Sequence, residues 1–266
     1  MRHLIPFVKS PPLVSVIRLN GMIASGARQG TLNDQGLAPI IERAFRKGKP
    51  AAVALLINSP GGSPVQSSLI AARIRRLSEE KNVPVYAFVE DVAASGGYWL
   101  ACAGDEIHVD RASIVGSIGV ISSGFGLQEF IDRHGVERRV YTAGQSKSML
   151  DPFRAEKPED VTRLKSMLED IHGTFKDWVS ERRAGKLDGD RDLFTGDIWV
   201  GASAVEPGLV DGVGHLVPLM KERFGAKVRF AVYAPRRSIF QRFGARLTGG
   251  ILTGIEDRAA FARFGL

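Results

Sequence analysis

Apolar runs and amphipathic stretches alternate along most of this chain. Residues 13–19 alternate in polarity and are rich in β-branched side chains, which predicts a strand. Residues 51–57 are continuously apolar, as expected for a strand buried on both faces. Residues 34–47 and 158–183 repeat apolar side chains every three or four positions, which predicts helices. This order of elements predicts an α/β fold.

The same criteria place further elements between and after these. We predict strands at 84–89, 107–109, 118–122, 137–141 and 228–233, and helices from residue 64 and at 127–134, 202–206 and 217–224. Because no change in composition interrupts this pattern, we expect a single domain over residues 13–234. A short N-terminal extension, residues 1–12, precedes it, and a basic amphipathic tail, residues 235–266, follows it.

The net charge of +7 is concentrated in that tail. Residues 236–266 hold six arginines and two acidic residues, a balance of +4, interleaved with apolar side chains. Such a segment suits peripheral contact with a membrane surface or a partner. No apolar run reaches the roughly 18 residues that span a bilayer, and the apolar patch at residues 4–8 is too short for the hydrophobic region of a signal peptide. We therefore expect a cytoplasmic protein or one peripheral to the inner membrane, and no nucleic-acid partner.

A run of small residues, DVAASGGYW at 91–99, follows one predicted buried strand. The pattern predicts a tight turn into a helix, with Ser95 near the helix N-terminus, where backbone N–H groups are free. Acyl-transfer chemistry requires such an exposed hydroxyl beside amide donors. The same pattern also fits a packing turn in which Ser95 only caps the helix. The pattern by itself leaves both interpretations open.

A second glycine turn, NSPGG at 58–62, also ends a buried strand, and its amides are candidates to bind a developing oxyanion. A serine nucleophile also needs a base, and none of the five histidines lies in a context that indicates one. A buried lysine can serve, because burial favours its neutral form. Lys147 lies among small and apolar residues and is the best candidate for burial. One cysteine and scattered histidines predict no metal site, and we expect no cofactor.

Four motifs in order resemble those of the SppA-type serine proteases, the signal peptide peptidase A or protease IV family, in their short form with one catalytic unit. They are NSPGG at 58–62, ASGGY at 94–98, GSIGV at 116–120, and GQSK at 144–147 followed by Asp151-Pro152. Residues 201–211 also resemble the family, and the likeness covers residues 13 to 220.

The resemblance implies a ClpP/crotonase-like fold of repeated ββα units. It implies a catalytic dyad in which Ser95 is the nucleophile and Lys147 the general base. Gly62 and Gly96 then supply the oxyanion-hole amides, and Ser117 orients the lysine. It also implies an ATP-independent endopeptidase for short hydrophobic peptides such as signal-peptide remnants, assembled as a homo-oligomeric ring with active sites shared between subunits.

Two other functions are compatible with parts of the sequence. A crotonase-type acyl-CoA enzyme would use the same paired amides on a thioester, but it does not need both a serine and a lysine. A non-catalytic scaffold would bind membrane proteins through its basic tail. Labelling of Ser95 by a fluorophosphonate separates the peptidase from both.

Overall fold

The computed structural model describes residues 10–26, 30–144, 146–235 and 258–266. Most of the predicted N-terminal extension and four of the six tail arginines lie outside these residues. Within them, no helix has the length and apolar character needed to cross a membrane.

The chain forms a mixed α/β structure around one sheet, which confirms the predicted fold class. The strands are β1 (Leu13–Asn20), β2 (Ala52–Ser59), β3 (Val85–Ala94), β4 (Glu106–Val109), β5 (Ile114–Gly116), β6 (Ile198–Val200), β7 (Gly212–Val213) and β8 (Arg229–Tyr233). The helices are α1 (Asp34–Arg46), α2 (Pro64–Lys81), α3 (Gly96–Ala101), α4 (Gln128–Arg133), α5 (Pro158–Arg182) and α6 (Leu216–Phe224), with a 3₁₀ turn at Gly201–Ala204.

The sheet runs in the order β6-β5-β3-β2-β1-β8, and β4 joins β3 to β7 beside this path. All described pairs are parallel except β5–β6. Strand β3 is shared between two partners: its first half pairs with β4 and its second half with β5. The carboxyl ends of β2, β3 and β5 therefore meet at one edge.

The continuous apolar run of β2 is explained by a core on each face of the sheet. Val53, Leu55 and Ile57 join the larger core, which includes side chains of α1, α2, α3 and α5. Ala52 and Ala54 point to a smaller core, which includes Met220 of α6. Because side chains alternate along a strand, both faces must be apolar when both are covered.

Two of the predicted strands are not strands in the structure. Strand β5 occupies residues 114–116, and the predicted strand at 118–122, which follows it, is irregular. The predicted strand at 137–141 is also irregular, and most of its residues are exposed. Short apolar runs satisfy strand periodicity whether or not a neighbouring strand exists to pair with them.

Candidate active site

Ser95 occupies a strained turn between β3 and α3. Its backbone has φ 52° and ψ −121°, an unusual conformation for a residue with a side chain. The turn is held because the Ser95 amide donates to the Gly116 carbonyl at 2.8 Å and the Trp99 amide donates to the Ser95 carbonyl at 3.0 Å. The Ser95 hydroxyl makes no capping hydrogen bond to α3. The interpretation of Ser95 as a simple helix cap therefore loses its support.

The register of the sheet places Ser117 beside this turn. Ala94 pairs with Gly116 at the ends of β3 and β5, so Ser95 and Ser117 follow at the same edge. Ser117 also has a positive φ, of 52°, and its amide donates to the Asp197 carbonyl at 2.6 Å. Two serines are thus presented by two neighbouring strand ends.

The glycine turn after β2 lies against the same point. A Cβ atom on Gly96 would come within 3.3 Å of the Gly62 amide nitrogen, so the two backbones are in close approach. Gly96 is the first residue of α3, so the Gly96 N–H has no partner within the helix. Among the described residues, no acceptor is found for the Gly62 amide. The two amides are therefore available to a ligand.

These residues line one cavity of about 590 Å³. Ser95, Ser117, Gly62 and Gly96 all contribute to its wall, so four of the five predicted site residues are brought together. The remainder of the wall is mostly apolar, and it includes Trp99, Val120, Ile121, Leu168, Ile171 and Phe175. The cavity is large enough for amino-acid side chains and offers them an apolar surface.

Helix α3 is anchored on several sides, which fixes the cavity floor. All six of its residues are buried. The Trp99 ring stacks on Phe175 of α5 with centroids 4.7 Å apart, and Trp178 donates to the Trp99 carbonyl at 3.0 Å. The Tyr98 hydroxyl donates to the Leu209 carbonyl at 2.7 Å. Ser95 therefore sits at the start of an element with little freedom to move.

The lone cysteine is not a competing nucleophile. Cys102 follows α3 and is buried. Burial raises the pKa of its thiol to about 12. A thiol that stays protonated at neutral pH is a weak nucleophile, so the serine is the better candidate in this part of the chain.

A buried ion pair braces the structure behind α3. Arg183, 2% exposed, donates to the Gly208 carbonyl at 2.7 and 2.9 Å and to the Asp211 carboxylate at 2.6 Å. Lys186 donates to the other Asp211 oxygen at 2.6 Å. Burial alone would raise the pKa of Asp211, but these hydrogen bonds outweigh it and lower the pKa. The carboxylate is thereby kept charged.

Lys147 is placed differently from the other four predicted residues. It lies in a turn, its side chain is exposed, and it is not among the described residues that line the Ser95 cavity. The prediction that Lys147 is buried is wrong for the single chain. Small and apolar neighbours in sequence indicate burial only if the segment packs closely on its own chain. Here Arg163 of α5 donates to the Ser146 hydroxyl at 3.3 Å, but Lys147 stays exposed.

Lys147 belongs to a segment, residues 121–157, which we call the exposed arm. Within its described residues only Ile131 is buried, and the arm carries large apolar side chains in contact with solvent. Their exposed fractions are Ile121 69%, Phe125 85%, Phe130 61%, Val136 55% and Tyr141 90%. The described residues of this chain therefore leave these apolar side chains uncovered.

Sequence reasoning missed the cavity wall formed by α5 and by residues 258–266. The periodicity of residues 158–183 predicts a helix, but it does not show that Leu168 and Ile171 line the cavity. His172 of α5 donates to the Ile118 carbonyl at 3.1 Å, next to Ser117. Arg263 and Phe264 also line the cavity. No local pattern in the sequence marks these long-range contacts.

Comparison with known proteins places this arrangement in a family. The sequence model of the family described as peptidase family S49 matches residues 78–223, which include Ser95, Gly96, Ser117 and Lys147. The matched region is more than half of the chain.

Individual relatives cover more of the chain. The serine protease SPPA, chloroplastic, of Arabidopsis thaliana is 32% identical over 76% of this chain, which spans 31% of that protein. A Synechocystis protein whose description names a protease is also 32% identical over 76% of this chain, which spans 69% of it. A Brucella melitensis protein named Na(+)/H(+) antiporter NhaA is 47% identical over 95% of this chain, but the chain spans only 37% of that relative's length.

Proposed function

Because this chain belongs to peptidase family S49 and is related to SppA-type proteases, we propose that it is a serine endopeptidase with Ser95 as nucleophile and Lys147 as general base. The observation that carries the proposal is the Ser95 turn. It presents an uncapped hydroxyl to a cavity whose wall includes the amides of Gly62 and Gly96.

The chemistry follows from these groups. The Ser95 Oγ attacks the scissile carbonyl carbon while neutral Lys147 takes its proton. The Gly62 and Gly96 amides donate to the resulting oxyanion. The protonated lysine then gives its proton to the leaving amine, which leaves an acyl-enzyme. Water, activated by the same amine, releases the product acid and restores both side chains. In this scheme the Ser117 hydroxyl forms a hydrogen bond with the Lys147 amine and sets its orientation.

The cavity wall favours apolar substrates. Its aromatic and aliphatic residues, from α3 and α5, exclude water from a bound side chain. Short hydrophobic peptides, such as remnants of signal peptides, match this wall, and folded domains do not fit a cavity of about 590 Å³.

We infer that a second copy of the chain completes the site. The cavity of one chain lacks the lysine among its described residues, while the exposed arm carries Lys147 together with apolar side chains that need cover. A head-to-tail arrangement in which each arm docks on a neighbour satisfies both conditions and closes into a ring. The arm then supplies the base to the neighbour's Ser95.

The finer fold assignment and the membrane contact are also proposals. The division of β3 between β4 and β5 supports a ClpP/crotonase-like arrangement, in which a sheet turns partway along its strands. The arginine-rich tail, with four of its six arginines in residues 236–257, is the segment proposed to meet anionic membranes.

We assign peptidase chemistry to this chain in preference to the antiport named for its Brucella relatives. The similarity to the Brucella melitensis protein covers 95% of this chain, so the residues matched by the S49 family model, Ser95 among them, lie in the part that aligns with it. That part is 37% of the relatives' length, so their name concerns much more than the region shared with this chain.

Labelling by a fluorophosphonate tests the proposal directly. We expect the reagent to modify Ser95, identified by peptide mapping, and the purified chain to hydrolyse short apolar peptides without ATP. Ser67→Ala is a matched control, because Ser67 lies near Gly96 but is buried and is not a cavity-lining residue. Acyl-CoA turnover without labelling would favour the crotonase-type enzyme. Neither labelling nor turnover by a folded oligomer would favour the scaffold.

A further inference from the structure

The candidate substrate cavity is lined in part by a segment remote in sequence. Residues 258–262 form a short helical turn, and Arg263 and Phe264 follow it in the wall of the Ser95 cavity. The Phe264 amide donates to the Phe261 carbonyl at 2.9 Å, which closes the turn. Phe264 is half-buried, unlike the exposed Arg263 beside it.

The chemistry of Phe264 matches the wall it joins. Apart from Arg263, the described residues that line the cavity are uncharged, and the larger ones, including Trp99, Leu168 and Phe175, are apolar. An aromatic side chain loses contact with water by entering such a cavity, which is favourable. A substrate's apolar side chain would use the same surface, so Phe264 and a substrate compete for it.

We infer that residues 258–266 form a tethered ligand of the substrate cavity that competes with apolar peptides; this inference rests on the proposed peptidase function. A tethered ligand acts at an effective concentration that reaches the millimolar range. It lowers the fraction of cavities open to substrate and raises the apparent Kd of the substrate by the reciprocal of that fraction. The segment therefore weakens peptide binding without altering the chemistry at Ser95.

Kinetics of Phe264→Ala test this competition. We expect the variant to lower KM for a short apolar peptide by about three- to tenfold with kcat unchanged, as for release of a competitive ligand. Phe264→Leu should keep the parental KM, because leucine still fills the apolar wall. Arg258→Ala, exposed in the same segment and absent from the cavity wall, is the matched control and should also be unchanged. An unchanged KM in folded Phe264→Ala would overturn the inference.

A binding measurement separates this inference from the proposed catalysis. In the Ser95→Ala background, the affinity for a fluorescent apolar peptide is compared with and without Phe264→Ala. We expect about three- to tenfold tighter binding by the double variant. Equal affinities would overturn the tethered ligand whether or not the chain hydrolyses peptides. Tighter binding with no hydrolysis or Ser95 labelling by the parent chain would support the ligand and defeat the peptidase proposal.

A peptide added in trans gives a third measurement. A synthetic peptide with the sequence of residues 258–266 should inhibit the Phe264→Ala chain competitively, and the same peptide with alanine in place of phenylalanine at 264 should inhibit much less. Equal inhibition by both peptides would show that Phe264 does not direct the segment to the cavity and would contradict the inference.

Discussion

The Ser95 turn and the exposed arm are built in opposite ways. Every residue of α3 is buried, and the turn is tied to β5, α5 and the loop after the 3₁₀ turn. In the arm, Phe125 is 85% exposed and Tyr141 90% exposed. The proposed nucleophile is therefore positioned by its own chain, whereas the proposed base is not. Under the proposed function, the fold pre-forms the half of the site that would bind the oxyanion, and a neighbouring chain would supply the half that transfers the proton.

The largest effects should come from the two proposed dyad residues. Ser95→Ala and Lys147→Ala should each lower kcat/KM on an apolar peptide by at least about 10³-fold, because a nucleophile or its base is lost. Circular dichroism and thermal unfolding should be unchanged, since neither side chain packs in the core. Lys165→Ala, an exposed lysine of α5, is the matched control. Activity near the parental value in Lys147→Ala would remove the arm from the mechanism.

The next effect concerns the pre-formed half of the site. In Gly62→Ala the new Cβ would lie 2.0 Å from the Ile23 carbonyl oxygen, and Gly62 has φ 138°, so the turn must shift. We expect kcat/KM to fall by about 10²–10³-fold, the usual loss for an oxyanion donor. Gly173→Ala in α5 has open space for its Cβ and serves as control. Full activity in Gly62→Ala would show that this amide does not bind the oxyanion.

Stability should depend on the ion pair behind α3. In Asp211→Asn the Arg183 guanidinium stays buried without its carboxylate, which costs about 3–5 kcal/mol of unfolding free energy. Because the folded-state pKa of Asp211 is lowered, its contribution is complete above the unfolded value near 3.8 and is lost as pH falls through the folded value. Denaturant titrations at pH 7 and pH 3 measure this. The difference in unfolding free energy between the parent and Asp211→Asn should be smaller at pH 3 than at pH 7. An equal difference at the two pH values would contradict the prediction.

The smallest expected effect is the recovery of activity when the two dyad variants are mixed, and it shows which chain supplies the base to Ser95. Co-expressed Ser95→Ala and Lys147→Ala chains, mixed at random in one ring, should recover roughly a quarter of the sites if each site joins two chains. Peptidase activity of the purified mixture measures the recovery, and each variant expressed alone is the control. If mixed rings form, as mass spectrometry can verify, and stay inactive, the dyad lies within one chain.

What the sequence predicted well are the features set by local pattern. The strands β1, β2 and β3 and the helix α5 follow from apolar periodicity because each covers enough length to bury a face. Ser95, Gly62, Gly96 and Ser117 were grouped by the resemblance to the SppA-type proteases, and in the structure they lie together because they follow the carboxyl ends of neighbouring strands. The exposure of Lys147 and the contact of Phe264 with the cavity could not be predicted, because both depend on which distant surface a segment packs against.

The exposed arm also has a consequence for how the protein behaves on dilution. If its apolar side chains are covered only by a neighbour, the fraction of complete sites follows mass action in total protein concentration. The rate per chain would then be constant at high protein concentration. It would fall when the concentration drops below the dissociation constant of the ring, so a plot of rate against protein concentration would curve upward from the origin. The chain would have little activity while its concentration is low, soon after synthesis, and its activity would rise as copies accumulate.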